Sequence, residues 1–373
     1  KDYSLGGITL LCKFDGQRVT MASQIAGADE TVSSLYSVKS EQATMLSFDT
    51  YNYLVHYFGQ PQGSMADDPN GTLGGDYEFI ISSASAERIE LKGKKYGNRI
   101  VMKALTEDQT WKQYLTKIKK VEDDAFFYEY DLLMDGLYTG QMIRSNYTFI
   151  VTYYDEIGKV HQKTVPFMFT ADGLRFHEPV TIDGQTMQNF VWKNELISFV
   201  CTDEGATGVK LAGVYTAGYQ SYDYYPGTYQ MDFYRLNDET GQLEVASQEV
   251  RLLKNEDGKS YWLKGLEYDI LVMYDKPRGG LSVSPQLLEK VQGGYVYLAM
   301  WDVMNDYVLR NKSIGLISYA TTNGIYLVDN GVWMGEVSGF IFGVYNSQEE
   351  DAAFIGYTDA VASIRLVKKT IEE

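Results

Sequence analysis

The chain has 373 residues, 45% hydrophobic, 22% charged and 14% aromatic, with 31 tyrosines against 7 prolines; this is the composition of a folded chain, neither disordered nor fibrous. Its formal charge of −17, from 33 Lys and Arg against 50 Asp and Glu, repels phosphate backbones and anionic head groups, so nucleic acid is not an expected partner. The acids are dispersed, with short clusters such as Glu122-Asp123-Asp124 and Glu349-Glu350-Asp351, which read as solvated surface, with a cation site as the alternative.

The first hundred residues read as strand after strand. Leu10, Cys12 and Phe14 share one face, and Asp15-Gly16 signals a hairpin. In TYNYLVHYF, an alternating strand sends Tyr51, Tyr53, Val55 and Tyr57 one way and Asn52, Leu54, His56 and Phe58 the other. His56 then sits between Leu54 and Phe58 as a hydrogen-bonded core residue, with His161 and His177 too distant in sequence to give ligand spacing. DDPNG at 67–71 reads as a polar turn, with a calcium loop as the alternative. Tyr77, Phe79 and Ile81 line one strand face, Ile89 and Leu91 another, and Gly97 marks the next turn.

Residues 107–121 break the pattern: Trp111, Tyr114, Leu115 and Ile118 recur at helical spacing. Strands resume at 126, turn at Ile157-Gly158 and reach Ile197, Phe199 and Cys201 on one face. The polar TDEGATG at 202–208 is the expected boundary. Beyond it, Asn-Asp-Glu-Thr-Gly (237–241) and Asn-Glu-Asp-Gly (255–258) are hairpin turns, GGLSVSPQ is a turn entering a strand, and YVYLAMWD alternates Tyr295, Tyr297 and Trp301 against Val296, Leu298 and Met300.

Short strands at ~8–12-residue spacing predict an all-β protein with one substantial helix, built as two or three barrel-like (lipocalin-like) or sandwich units. The expected units are 1–105, an N-terminal barrel-like unit; 106–204, a helix plus β unit that is either separate or continuous with the first; and 205–373, a C-terminal β unit. Cys12 and Cys201, each on an apolar strand face, are expected to be buried free thiols and not a bridge.

No phosphate loop, HExxH, CxxC, GxSxG or SxxK is present, so the sequence nominates no catalytic residue, no metal ligand and no cofactor. The positive signal is aromatic. GYQSYDYYPG crowds Tyr219, Tyr222, Tyr224 and Tyr225 into one loop, and rings in a loop cannot all be buried in a core. Tyr222, Tyr224 and Tyr225, joined by Trp301 and Trp333, are the expected ligand contacts, on a surface suited to a glycan or peptide. The alternative is that these rings pack against a neighbouring domain.

LCKFDGQRVTMAS, SLYSVKS, LSFDTYNYLVHYF, GGDYEFII and IELKGKKYGNRIVM, in that order, resemble a family of secreted lipoproteins of gut Bacteroides-type bacteria, classed as a domain of unknown function. The resemblance spans residues 5–105, continues at FTADGLRFHEPVTIDGQTMQNFVW and is fainter at GGLSVSPQ and YVYLAMWD. It implies an export leader and a lipidated cysteine outside this sequence, and a place on the cell envelope, at the outer membrane or cell surface, often beside outer-membrane uptake proteins. KDYSLGG is not a signal peptide and no run reaches the ~20 apolar residues of a membrane helix, so membrane contact is expected only through such an anchor. The resulting expectation is a non-catalytic envelope lipoprotein that binds a ligand in support of nutrient uptake. The alternatives are a secreted glycan-acting hydrolase, whose paired acids would converge from distant loops, and a structural or adhesive envelope subunit.

Overall fold

The structure, a computed structural model, describes residues 6–40, 43–59, 73–105, 109–155, 157–349 and 351–369; the 67–71 turn lies outside them. The chain divides into two compact units, 1–214 and 215–373. The fold is all-β, as the alternation predicts, with two closed barrels and a half-barrel.

The N-terminal unit opens with a seven-stranded antiparallel meander: β1 (Leu10–Asp15), β2 (Arg18–Ser23), β3 (Val32–Ser40), β4 (Thr44–Phe48), β5 (Glu78–Ala84), β6 (Arg88–Gly93) and β7 (Arg99–Lys103). The β1–β2 turn is Gly16-Gln17, with Gly16 at φ +58°, a value that glycine adopts without Cβ strain. Val19, Met21, Leu46, Phe48, Phe79 and Leu91 form the inner face.

The strand expected over residues 50–58 is instead a helix, α1 (Tyr53–His56), continued by a 3-10 turn at Tyr57–Gly59. Asn52 decides this. Its buried side chain accepts from the Leu54 amide (3.2 Å) and donates to Ser34 Oγ (3.1 Å), capping the helix. Leu54, Val55 and Phe58 are buried, but His56 is only half-buried, stacked on Tyr77 at 5.0 Å with Nδ1 3.2 Å from the Asn52 amide nitrogen. The expected core histidine between Leu54 and Phe58 is thus corrected to one packed between rings at the surface, because helical geometry removes the alternation that placed it inside.

Helix α2 (Trp111–Asp124) confirms the predicted helix. Thr110 begins it: its hydroxyl accepts from the Gln113 amide and the Gln113 side chain accepts from the Thr110 amide, a capping box. Leu115, Ile118 and Val121 pack with the core of a closed up-and-down barrel. Its strands are β8 (Glu129–Met134), β9 (Leu137–Ser145), β10 (Thr148–Tyr154), β11 (Val160–Phe169), β12 (Gly173–Ile182), β13 (Gln185–Lys193), β14 (Ser198–Cys201) and β15 (Val209–Val214). Residues 202–208 form the turn between β14 and β15, and β15 closes the barrel by pairing with β8. The unit boundary therefore follows β15. An eight-stranded barrel holds either its own side chains or one small ligand. This one holds side chains: Phe149 stacks on Phe167 at 4.4 Å, and Tyr130, Phe176 and Phe199 fill the space around them.

The C-terminal unit contains β16 (Gly227–Leu236), β17 (Leu243–Lys254), β18 (Ser260–Lys264), β19 (Ile270–Asp275), β20 (Gly280–Val283), β21 (Gln286–Val291), β22 (Gly294–Asp302), β23 (Tyr307–Leu309), β24 (Leu316–Thr321), β25 (Gly324–Asp329), β26 (Gly339–Tyr345) and β27 (Phe354–Lys368). Strands β16 to β20, β24, β25 and β27 run in that order and close where β27 pairs with β16. A side sheet of β26, β22 and β21, with β23 on β22, leaves the barrel through the first half of β27. The second barrel is also packed, around Tyr229, Met231, Phe233, Tyr261 and Ile270.

Both cysteines are free; Cys201 is buried and Cys12 half-buried against the half-barrel core. Burial pushes the Cys201 thiol up to about 11 and the Cys12 thiol up to about 12. Only the thiolate attacks disulfide reagents. A colorimetric disulfide reagent at pH 8 should therefore leave both thiols largely unmodified in the native protein and titrate two per chain in guanidinium. Rapid native labelling of either would overturn the assignment.

Candidate functional site

The tyrosine loop predicted as a ligand surface is mostly a plug. Ser221 begins a 3-10 turn over Tyr222–Tyr224, and the loop packs its rings into the core of the second barrel. Inside, Tyr229 Oη donates to the Tyr225 carbonyl (2.5 Å) and Tyr261 Oη to the Tyr222 carbonyl (2.6 Å). Tyr222 stacks on Tyr261 at 4.7 Å and donates to the Ser260 carbonyl, while Tyr225 donates to the Gly279 carbonyl, both at 2.8 Å. Each buried phenol therefore keeps a partner, as burial demands.

Of the five expected ligand rings, Tyr224 stands 40% exposed and Tyr222 is half-buried, but Tyr225 (1%) and Trp301 (4%) offer no open face. Tyr225 is drawn in by the barrel core. Trp301 is covered because the side sheet carries a second apolar layer, with Ile341, Ala360, Ala362, Leu236 and Val308. Trp333 is half-buried and donates from Nε1 to Asp302 at 3.0 Å. Among the described residues no ring contact joins either tryptophan to Tyr222, Tyr224 or Tyr225.

Beside the plug a cleft of about 280 Å³ opens, lined by Gly218, Asp275, Arg278, Ser318 and Tyr319 among others, with the buried Tyr225 behind them. Tyr319, on β24, is 63% exposed and presents the accessible ring that sequence reasoning missed. The 276–279 turn is pinned from two sides: Thr216 Oγ1 donates to the Arg278 carbonyl (3.1 Å), and the Gln220 amide donates to the Gly279 carbonyl (3.2 Å). Gly279 is required, since it has φ +62° and a Cβ there would lie 2.5 Å from the Tyr219 ring. Ser318 Oγ accepts from the Leu281 amide at 2.7 Å, which fixes its hydroxyl at the cleft wall. Asp275 and Arg278 form an ion pair at 3.6 Å with both side chains partly exposed.

A larger, shallower hollow of about 480 Å³ lies on the half-barrel hairpins, lined by Gln17, Leu35, Tyr36, Val38 and Asp49. The neighbouring Ser37 and Ser47 hydroxyls hold the Asp49 carboxyl below its usual range, with Lys39 Nζ 3.1 Å away. That hollow has one carboxylate and no converging polar set.

The smaller cleft brings few ionisable groups together. Its lining offers one carboxylate, neutralised by a guanidinium, and no histidine; His56, His161 and His177 all belong to the N-terminal unit. Acid–base hydrolysis of glycosides needs a second carboxylate across the bond, and no residue lining the cleft provides it. Among the described residues no group of three His, Cys, Asp or Glu is placed to hold a metal ion.

The fold defines a multi-barrel β protein with a small cleft on its C-terminal barrel. Residues 1–194 match a domain of unknown function, DUF4302, and the chain belongs to that family. Residues 202–343 match a second domain of unknown function, DUF4987. No curated protein and no solved structure matches the chain.

The plug makes the fold sensitive to alkali. Burial raises the hydroxyls of Tyr219, Tyr222 and Tyr225, and drives those of Tyr229, Tyr261 and Tyr274 far above the ordinary range. The unfolded chain releases these protons near pH ~10 while the folded state retains them, so stability falls as pH rises beyond that point. Absorbance at 295 nm should show exposed tyrosines ionising reversibly, then a second group ionising together with loss of the circular dichroism signal. A single step near pH ~10 with the fold intact would contradict the plug.

Proposed function

We propose that this chain is a non-catalytic binding protein of the bacterial cell envelope that captures a small neutral ligand, a glycan unit or short peptide, in support of nutrient uptake. The observation that carries the reading is the cleft itself. It sets the open ring of Tyr319 beside a neutralised Asp275–Arg278 pair and the fixed hydroxyl of Ser318. An aromatic face supplies stacking area, and planar charged groups supply hydrogen bonds without a net charge. Its volume of about 280 Å³ sits at the lower end of ligand pockets, ~300–1,000 Å³, and suits one sugar ring or two amino-acid side chains. Both barrels are filled by their own side chains, which leaves recognition to the outer surface.

The envelope address, the lipid anchor and the pairing with outer-membrane uptake proteins are supported by the resemblance carried by residues 5–105. The hydrolase reading is weaker because the cleft lacks a second acid. The adhesive-subunit reading draws on the exposed apolar side chains of the C-terminal unit.

Purified chain should be screened on glycan and peptide arrays, and any hit titrated against wild type and Tyr319→Ala. Losing one stacking ring should weaken binding by about tenfold, the equivalent of ~1–2 kcal/mol. The melting temperature should stay unchanged, because the ring is already 63% exposed. Unaltered affinity in Tyr319→Ala would remove the cleft as the site, and a hit that is turned over would reinstate the enzyme.

A further inference from the structure

Two neighbouring loops of the side sheet expose apolar side chains that folding does not reward. The β22–β23 hairpin turns through residues 303–306, and Met304 at its tip is 85% exposed. The loop between β25 and β26 carries Val332 at 55% and Met334 at 96%. Tyr307, 55% exposed, meets the Trp333 ring edge-on at 5.7 Å at their base.

These loops are held in place. The Asp302 side chain, fully buried, accepts from the Asn305 amide (3.1 Å), Asn305 Nδ2 (2.9 Å) and Trp333 Nε1 (3.0 Å). One carboxylate therefore binds both loops together. Gly335 lies so close that a Cβ there would stand 2.1 Å from Asp302 Oδ2. On the other side the Asp329 carboxylate accepts from the Val337 amide at 2.6 Å. The methionines stand on a braced platform and do not fold back onto the sheet.

The composition of the tip narrows what it meets. Residues 303–305 and 330–335 contain no charge; of the acids that flank them, Asp302 and Asp329 are taken up by the loop hydrogen bonds, and Asp306 and Glu336 are exposed at the rim. Uncharged apolar tips above a Trp–Tyr base match the order of a bilayer interface, where aromatic rings with polar edges sit at the head groups and aliphatic side chains go deeper. The rim acids and the net charge of −17 disfavour an anionic surface.

We infer that the paired loops around Met304 and Met334 form a membrane-contact tip that inserts into the interface of a neutral, zwitterionic lipid surface. The inference does not depend on the cleft. It gives the C-terminal unit a lipid contact of its own, and weak apolar insertion of this kind holds a protein durably only beside a second attachment.

The test is sedimentation of the full 373-residue chain with phosphatidylcholine vesicles, alongside vesicles containing phosphatidylglycerol. Wild type should partition onto phosphatidylcholine with a blue shift of tryptophan emission, and bind no better when phosphatidylglycerol is added. Each buried methionine contributes a factor of about ten or more. The double variant Met304→Asp/Met334→Asp should therefore lose about a hundredfold in partitioning with an unchanged circular dichroism spectrum, while Tyr319→Ala binds vesicles as wild type does. Absence of wild-type binding, retention of binding in the double variant, or tighter binding to phosphatidylglycerol overturns the inference. A wild-type oligomer in size-exclusion chromatography that the double variant abolishes also overturns it, assigning the tip to a second copy of the chain.

Discussion

The C-terminal unit depends on one strand that serves two sheets. Up to Ala362, β27 pairs with β26 of the side sheet; from Arg365 it pairs with β25 of the barrel; β16 pairs with its other edge from Val361 to Lys368. The change of partner occurs at a bulge. Ser363 takes φ +52°, uncommon for a residue with a Cβ, and its amide donates to the Ser338 carbonyl at 2.7 Å. The extra residue shifts the inward face by one position. Val361 points to the main core, and so do Ile364 and Leu366, a step of three followed by a step of two. Without that shift Ile364 would face outward, and barrel and side sheet could not share a core.

The chain's acidity looks different once its aspartates are placed. Asp76 accepts from the amides of Lys95, Tyr96 and Asn98. Asp155 takes those of Ile157 and Lys159, Asp257 those of Lys259 and Ser260, and Asp302 that of Asn305. Each sits where a turn would otherwise leave amides unpartnered, as short acceptor side chains do. Part of the negative charge is therefore turn chemistry, and only the remainder is solvated surface.

Much of the architecture was legible because period-two alternation and glycine turns are local signals. Gly16, Gly97, Gly158, Gly241 and Gly258 all hold positive φ at the predicted turns. The helix was legible from Trp111 onward because its apolar spacing is equally local. The 50–58 segment was not, since it is apolar on both faces and only the Asn52 cap, completed by Ser34 eighteen residues away, selects helix over strand. Tyr225 was misjudged for a related reason: a loop's rings can be buried when the loop closes a barrel, and closure is a long-range fact. Tyr319 carried no signal, because it stands in an ordinary strand facing Tyr326 and becomes part of a site only through the 216–220 and 276–279 turns.

The half-barrel has a consequence for colloidal behaviour. Among the described residues β1 and β7 each pair on one side only, leaving two rows of backbone amides and carbonyls able to template another chain. Lys13 on one edge and Arg99 and Lys103 on the other point outward, charged and exposed. In a chain dominated by acids, three cations therefore stand guard against edge-to-edge polymerisation. Pairing another chain along either edge would first have to desolvate those cations.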